Sequence, residues 1–101
     1  MQTTKQRRTQ PTEQKRLTLS VIIPCYNEVN TLEPVLDRVE EVGLADEILI
    51  VDDGSTDGTR ELLKEIEGQG RSTVRVVYHE RNQGKGAALV TGFSHASGDI
   101  F

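Results

Sequence analysis

The sequence predicts an α/β domain: a parallel sheet with helices on both faces. Three observations carry this expectation. Short apolar runs alternate with stretches of helical periodicity from residue 17 onward, and such alternation favours parallel strands joined by right-handed crossovers. Ile48-Leu49-Ile50-Val51 is continuously apolar, as expected of a strand covered on both sides. The polar, glycine-bearing clusters follow the apolar runs, so they collect at the carboxyl edge of the sheet, where open α/β folds bind ligands.

The first strand is read as Leu17 to Ile23, ending at Pro24 because proline cannot donate to a sheet ladder. Asn30 or Thr31 can cap the first helix, with Pro34 in its first turn. Leu32, Val35, Leu36, Val39 and Val42 form its apolar face, and Gly43 ends it. The second strand is Glu47 to Val51. The second helix begins near Asp57 or Gly58, with Asp57 a candidate cap, and buries Leu62, Leu63 and Ile66 before Gly68-Gln69-Gly70. The third strand is Val74 to Tyr78. The third helix carries Ala87, Ala88, Leu89, Val90, Phe93 and Ala96 and stops at Gly98, and Asp99-Ile100-Phe101 opens a fourth strand. The expected spatial order is 3-2-1-4, a three-layer Rossmann-like half with strand four cut short.

Composition narrows the function classes. Residues 1–16 hold five Lys or Arg, one Glu and no aliphatic residue after Met1. They are read as a disordered basic leader, too polar for a signal peptide. The leader carries +4, so residues 17–101 carry −8 within the total of −4. An acidic body argues against nucleic acid as partner. The single cysteine, Cys25, excludes an internal disulfide, and His79 and His95 fit no zinc spacing and are read as surface or packing residues. A cytoplasmic location is the expectation, since no stretch approaches the ~18 apolar residues of a membrane span.

The chemistry lies at the strand ends, in Pro24-Cys25-Tyr26-Asn27-Glu28, Asp52-Asp53 and Arg81-Asn82-Gln83-Gly84-Lys85-Gly86. Adjacent strand residues face opposite ways, so Asp52 and Asp53 cannot share one ligand. One is expected to hold the Gly54-Ser55-Thr56 turn, and the other is open to a ligand N–H. Tyr26 can stack on a planar base. Cys25 is read as a small packing residue. Asp53-x-Ser55-x-Asp57-Gly58 starts like a calcium loop, but Lys64 stands where the final Glu belongs. Gly84-Lys85-Gly86 resembles a phosphate cradle without the Ser/Thr of a P-loop, and Leu89 occupies the third glycine position of a dinucleotide fingerprint.

Taken together, Val21 to Glu28, Ile50 to Thr59, Arg81 to Ala88 and Ala96 to Asp99 resemble the family 2 glycosyltransferases of the GT-A fold. Within that family they look most like the branch of dolichyl-phosphate mannosyltransferases and undecaprenyl-phosphate sugar transferases. The resemblance covers residues 19–101 and implies inverting transfer from a UDP- or GDP-linked sugar. Residue by residue, it matches Pro24, Tyr26 and Glu28 to a first nucleotide-contacting motif and Val51 and Asp53 to a second, with Asp53 facing the base. It extends to Lys85 in the third loop. It assigns no catalytic or metal-ligating residue to this chain: the family's Asp-x-Asp motif, which holds Mg or Mn, is expected a few residues beyond Asp99.

The expected function is therefore the nucleotide-sugar-binding half of a glycosyltransferase, residues 17–101, inactive as this chain alone. A diphosphate would meet Glu28 and Asp53 at the same edge, so without a cation like charges weaken binding. A polyprenyl-phosphate acceptor at a membrane surface fits the branch and the basic leader, and an unfinished sheet edge favours self-association. The alternatives are a non-catalytic nucleotide-binding or interaction module and a sugar-phosphate nucleotidyltransferase. The latter would want a glycine-rich loop after strand one, where Pro-Cys-Tyr-Asn-Glu stands.

Overall fold

Side-chain parity along the central strand decides which helix covers which face. The computed structural model describes residues 17–100; the expected leader and Phe101 lie outside the described residues. The elements are β1 (Ser20–Cys25), α1 (Leu32–Val42), β2 (Glu47–Asp53), α2 (Thr59–Gly68), β3 (Val74–His79) and α3 (Lys85–His95). All three strands run parallel in the order β1-β2-β3, with Ile23 opposite Ile50 and Asp53 opposite His79. Ile48 and Ile50 face one way and form the main core with Leu32, Leu36, Leu63 and Ile66 of α1 and α2. The odd-numbered residues of β2 face α3, which packs on β1 and β2. The result is three layers, with every residue of β2 buried.

The ends of α1 follow the expectation, with Thr31 at the N-cap and Gly43 at the C-cap in the left-handed conformation, φ 74°. The first strand differs from it. It runs through Pro24 to Cys25, with Pro24 paired to Val51. Leu19 O accepts from Glu47 N at 3.1 Å, whereas Ser20 N donates to Ile100 O at 2.7 Å. Backbone groups of successive residues point to opposite edges, so even-numbered residues of β1 address the outer edge. Pro24 therefore lacks an N–H only on the side away from β2, where the ladder to β2 needs none.

The third helix also ends earlier than expected. It stops at His95, Ala96 is extended, and Val90 and Phe93 lie on its exposed side. Ala88 and Gly92 are the residues it buries, and a Cβ on Gly92 would sit 2.5 Å from Ile22 Cγ2. Small residues let the helix lie close to the sheet. Past it the chain returns to the outer edge of β1, where Leu19 and Ile100 form one parallel bridge.

At the amino end of β2 Glu47 is buried, with 7% of the residue exposed. It accepts hydrogen bonds from Ser20 Oγ at 2.8 Å and Ser97 N at 2.9 Å, and pairs with Arg75. Burial alone would raise its pKa. The bonds from Ser97, Ser20 and Arg75 outweigh burial and lower it from 4.5 to about 2. A group that binds its proton less tightly when folded stabilises the fold above its unfolded pKa and loses that contribution as pH falls through the folded value. Stability should therefore drop as pH falls from 4.5 toward about 2. Glu47→Gln, which cannot titrate, should flatten part of this acid limb. Urea midpoints measured for both proteins across that range check it.

Candidate functional site

The carboxyl ends of the strands carry three loops, and two sets of hydrogen bonds tie them into one surface. The first set joins the β1–α1 loop to the β2–α2 loop. Asn27 adopts φ 53°, a conformation Asn tolerates better than most side chains. Its N–H donates to Ser55 Oγ at 2.9 Å, and its Oδ1 accepts from Thr56 N at 2.8 Å. Glu28 N donates to the buried Thr59 Oγ1 at 2.9 Å, and that hydroxyl donates to Asp57 Oδ1 at 2.5 Å. The Thr59 hydroxyl is also the main reason that the Asp57 carboxyl sits below its ordinary pKa.

The second set joins β2 to the β3–α3 loop through Asp53. Its Oδ1 accepts from Gln83 N at 2.9 Å and lies 2.8 Å from His79 Nδ1, and its Oδ2 accepts from Gly84 N at 2.9 Å. Burial pushes the Asp53 pKa up. The bonds from His79, Gln83 and Gly84 together overcome that push and hold it below the ordinary value. Asp52 faces the other way, as parity requires. It accepts from Ser55 N at 3.3 Å and pairs with Arg60 at 3.2 Å, so it holds the turn after β2. Its Oδ1 is buried without a hydrogen-bond partner among the described residues.

Between these loops lies an open cleft of about 250 Å³ lined by Pro24, Cys25, Tyr26, Glu28, Asp53, Asn82, Lys85 and Ala88. Five of the sequence-derived site residues, Pro24, Tyr26, Glu28, Asp53 and Lys85, thus share one concavity. Val51 does not. It is fully buried on the α3 side of β2, because its odd position places it beneath Asp53 rather than at the strand end. Tyr26 is 44% exposed, enough to offer a ring to a planar ligand. Lys85 is the first residue of α3, so its charge stands at a helix N-terminus that itself favours anions. Cys25 is 3% exposed, and burial together with the negative charges of Asp52, Glu28 and Asp57 raises its thiol to about 12. It is a packing residue, as expected.

Two residues carry roles that the residue order does not reveal. Asn27, expected only as part of a polar turn, laces two loops together. His79, expected as a surface or packing residue beyond the third strand, is 8% exposed and bonded to Asp53. Extending strand three by one residue would have placed it opposite Asp53 on the same face.

A divalent-cation site does not assemble from what is present. Among the described residues no group of three His, Cys, Asp or Glu is placed to hold an ion. Asp52, Asp53 and Asp57 each already face protein donors. Among the described residues, likewise, no helix is long and apolar enough to cross a membrane.

Comparison with known proteins is specific. The model of glycosyl transferase family 2 matches residues 20–101. The undecaprenyl-phosphate 4-deoxy-4-formamido-L-arabinose transferases of Salmonella paratyphi B and Salmonella newport are each 41% identical over 86 residues, which is 81% of this chain and 26% of theirs. Among solved structures, the mannosyltransferase PcManGT from Pyrobaculum calidifontis, in complex with GDP-Man and Mn2+, superposes with a TM-score of 0.75 at 31% identity. That match covers 89% of this chain and 27% of the mannosyltransferase. The chain therefore spans about a quarter of the length of the relatives it matches.

Gly54 is where the lacing is tightest. Its φ is 76°, and a Cβ would lie 2.4 Å from the Arg81 carbonyl carbon and 2.5 Å from Asn82 N. Gly54→Ala should cost at least ~1–2 kcal/mol from the left-handed backbone alone, with more from displacing the Arg81–Asn82 backbone. Denaturant titration should show the loss, and the amides of Gln83 and Gly84 should exchange faster with solvent.

Proposed function

We propose, because this chain belongs to glycosyl transferase family 2, that residues 17–101 form the donor-nucleotide side of a sugar transferase. The donor is a UDP- or GDP-linked sugar, and transfer inverts the anomeric carbon. The acceptor is a polyprenyl phosphate at the cytoplasmic surface of a membrane. The match to undecaprenyl-phosphate sugar transferases supports the acceptor class, and the GDP-Man complex of the mannosyltransferase supports the donor class. The basic leader, +4 over residues 1–16, suits an anionic membrane surface.

The observation that carries this reading is the convergence of Tyr26, Asp53 and Lys85 on one cleft at the strand ends. An ionised carboxylate offers about four acceptor sites. Three on Asp53 are used by the protein, which leaves one on Oδ2 for a base N–H. A hydrogen bond to such a charged group contributes ~1.5–3 kcal/mol. Stacking of the base on Tyr26 adds ~1–3 kcal/mol on the scale of nucleic-acid cases. Lys85 lines the cleft at the N-terminus of α3, an end that favours anionic groups such as a diphosphate. A bound divalent cation would neutralise that diphosphate; among the described residues no group of three His, Cys, Asp or Glu is placed to hold one.

Gly86 leaves room for a ligand at the start of α3. It lies in the first turn of α3 with an ordinary φ, and nothing stands within 4 Å of where its Cβ would be. Nothing in the described fold requires glycine there, although glycine costs a helix ~0.5–1 kcal/mol relative to alanine. A ligand lying close against the helix end would require it. Gly86→Ala should therefore hold or raise the unfolding temperature of the free chain and weaken nucleotide binding. Parallel melting and titration separate the two effects.

Thermal unfolding of the chain with UDP, GDP and their sugar conjugates, with and without Mn2+, tests the assignment directly. One nucleotide should raise the transition, by ~2.7 kcal/mol of stability at a hundredfold excess over Kd. Asp53→Ala should remove most of that shift. A transition unmoved by every nucleotide would count against the site, and sustained sugar transfer by the chain alone would overturn its restriction to donor binding.

A further inference from the structure

His79 stands out once the cleft is described, because it touches the most constrained cleft residue without lining the cleft. It is 8% exposed, and both ring nitrogens are engaged. Nδ1 lies 2.8 Å from Asp53 Oδ1, and Nε2 lies 2.9 Å from Thr91 Oγ1 on α3. An ionised carboxylate only accepts hydrogen bonds, so the first contact assigns a proton to Nδ1. Its main chain is held as well, since Arg60 donates to the His79 carbonyl while binding Asp52. The imidazole is thus clamped between the end of β3 and the middle of α3, with one N–H aimed at Asp53.

We propose that His79 is a positioning residue that fixes the rotation of the Asp53 carboxylate, so that the free acceptor site on Oδ2 points into the cleft. The argument is one of counting. Oδ1 takes two donors, His79 and Gln83 N, and Oδ2 takes one, Gly84 N. With both Oδ1 positions filled, the unused position is confined to Oδ2. Without His79, an acceptor site opens on Oδ1 on the buried side, and only the two loop amides oppose rotation of the carboxylate. A packing role alone would not need a polar ring, because burying two ring nitrogens costs free energy unless both are bonded. The inference rests on the donor-binding reading for what Asp53 meets in the cleft, and on the geometry of the chain for how Asp53 is held.

The test uses the full chain with His79→Leu, His79→Asn, Thr91→Val and Asp53→Asn. Amide exchange at Gln83 and Gly84 reports on the Asp53 carboxylate directly, and titration with GDP and UDP reports on the cleft. His79→Leu should speed exchange at those two amides by about tenfold relative to the β1–β2 ladder, and weaken nucleotide binding by about tenfold, the loss of one oriented hydrogen bond. His79→Asn should restore both, because its Nδ2 is bonded to Cγ as Nδ1 is in histidine. Unchanged exchange at Gln83 and Gly84 in His79→Leu would overturn the proposal. So would faster exchange throughout the sheet that His79→Asn does not restore. If the His79 variants fail to fold, Thr91→Val decides: it frees Nε2 without touching Asp53, and the same two amides should still exchange faster. Nucleotide affinity unaltered in Asp53→Asn would sink the donor-base reading and leave the amide exchange to judge His79.

Discussion

Two buried carboxylates on one face of β2 hold the third layer in place. Glu47 and Asp53 stand at the two ends of the strand and, six residues apart, point to the same side. Neither can be buried ionised without donors, and each finds them in the segments flanking α3. Asp53 takes the amides of Gln83 and Gly84 just before the helix, and Glu47 takes the amide of Ser97 just after it. The six-residue interval along β2 is about 20 Å, and the eleven residues of α3 span about 16 Å, so strand and helix match in length. Arg75 pairs with Glu47 and donates to His95 O at 3.1 Å, which offsets a negative charge near the helix C-terminus.

This arrangement places the cleft. Pinning the start of α3 to Asp53 sets Lys85 and Gly86 beside the end of β2. The lacing through Asn27, Ser55, Thr56 and Thr59 sets Tyr26 and Glu28 across from them. The loops at the carboxyl edge are thus bonded to one another in the free chain, and loops ordered in advance lower the ordering cost of the proposed binding there. Asp52, one residue from Asp53, serves the opposite layer by holding Arg60 and the turn. The paired carboxylates of the sequence are two anchors for two layers and only one of them borders the cleft.

Much of this was legible in the residue order. The alternation of elements, the burial of Ile48 to Val51, the opposed directions of Asp52 and Asp53 and the ends of α1 all follow from local rules of periodicity and capping. Those rules act within a few residues, so one chain suffices to read them. Pro24 misled for the same reason: a local rule says that proline ends a ladder, whereas the hydrogen bonds of Leu19 and Ser20 show that its missing N–H points away from β2. The edge to which a residue's backbone points depends on its partner strand.

Residue types and spacing thus determined the parallel α/β architecture and the edge at which polar residues collect, because these depend on patterns repeated along the chain, while four motifs along it carried the resemblance to the family. The tertiary structure alone decided which side chains meet. His79 and Asp53 are 26 residues apart, and Ser97 and Glu47 are 50 apart. Val51 lies in the same motif as Asp53 but beneath the cleft surface. Such contacts are set by strand register and helix placement, and no local sequence preference encodes a bond between residues that only the packed layers bring together.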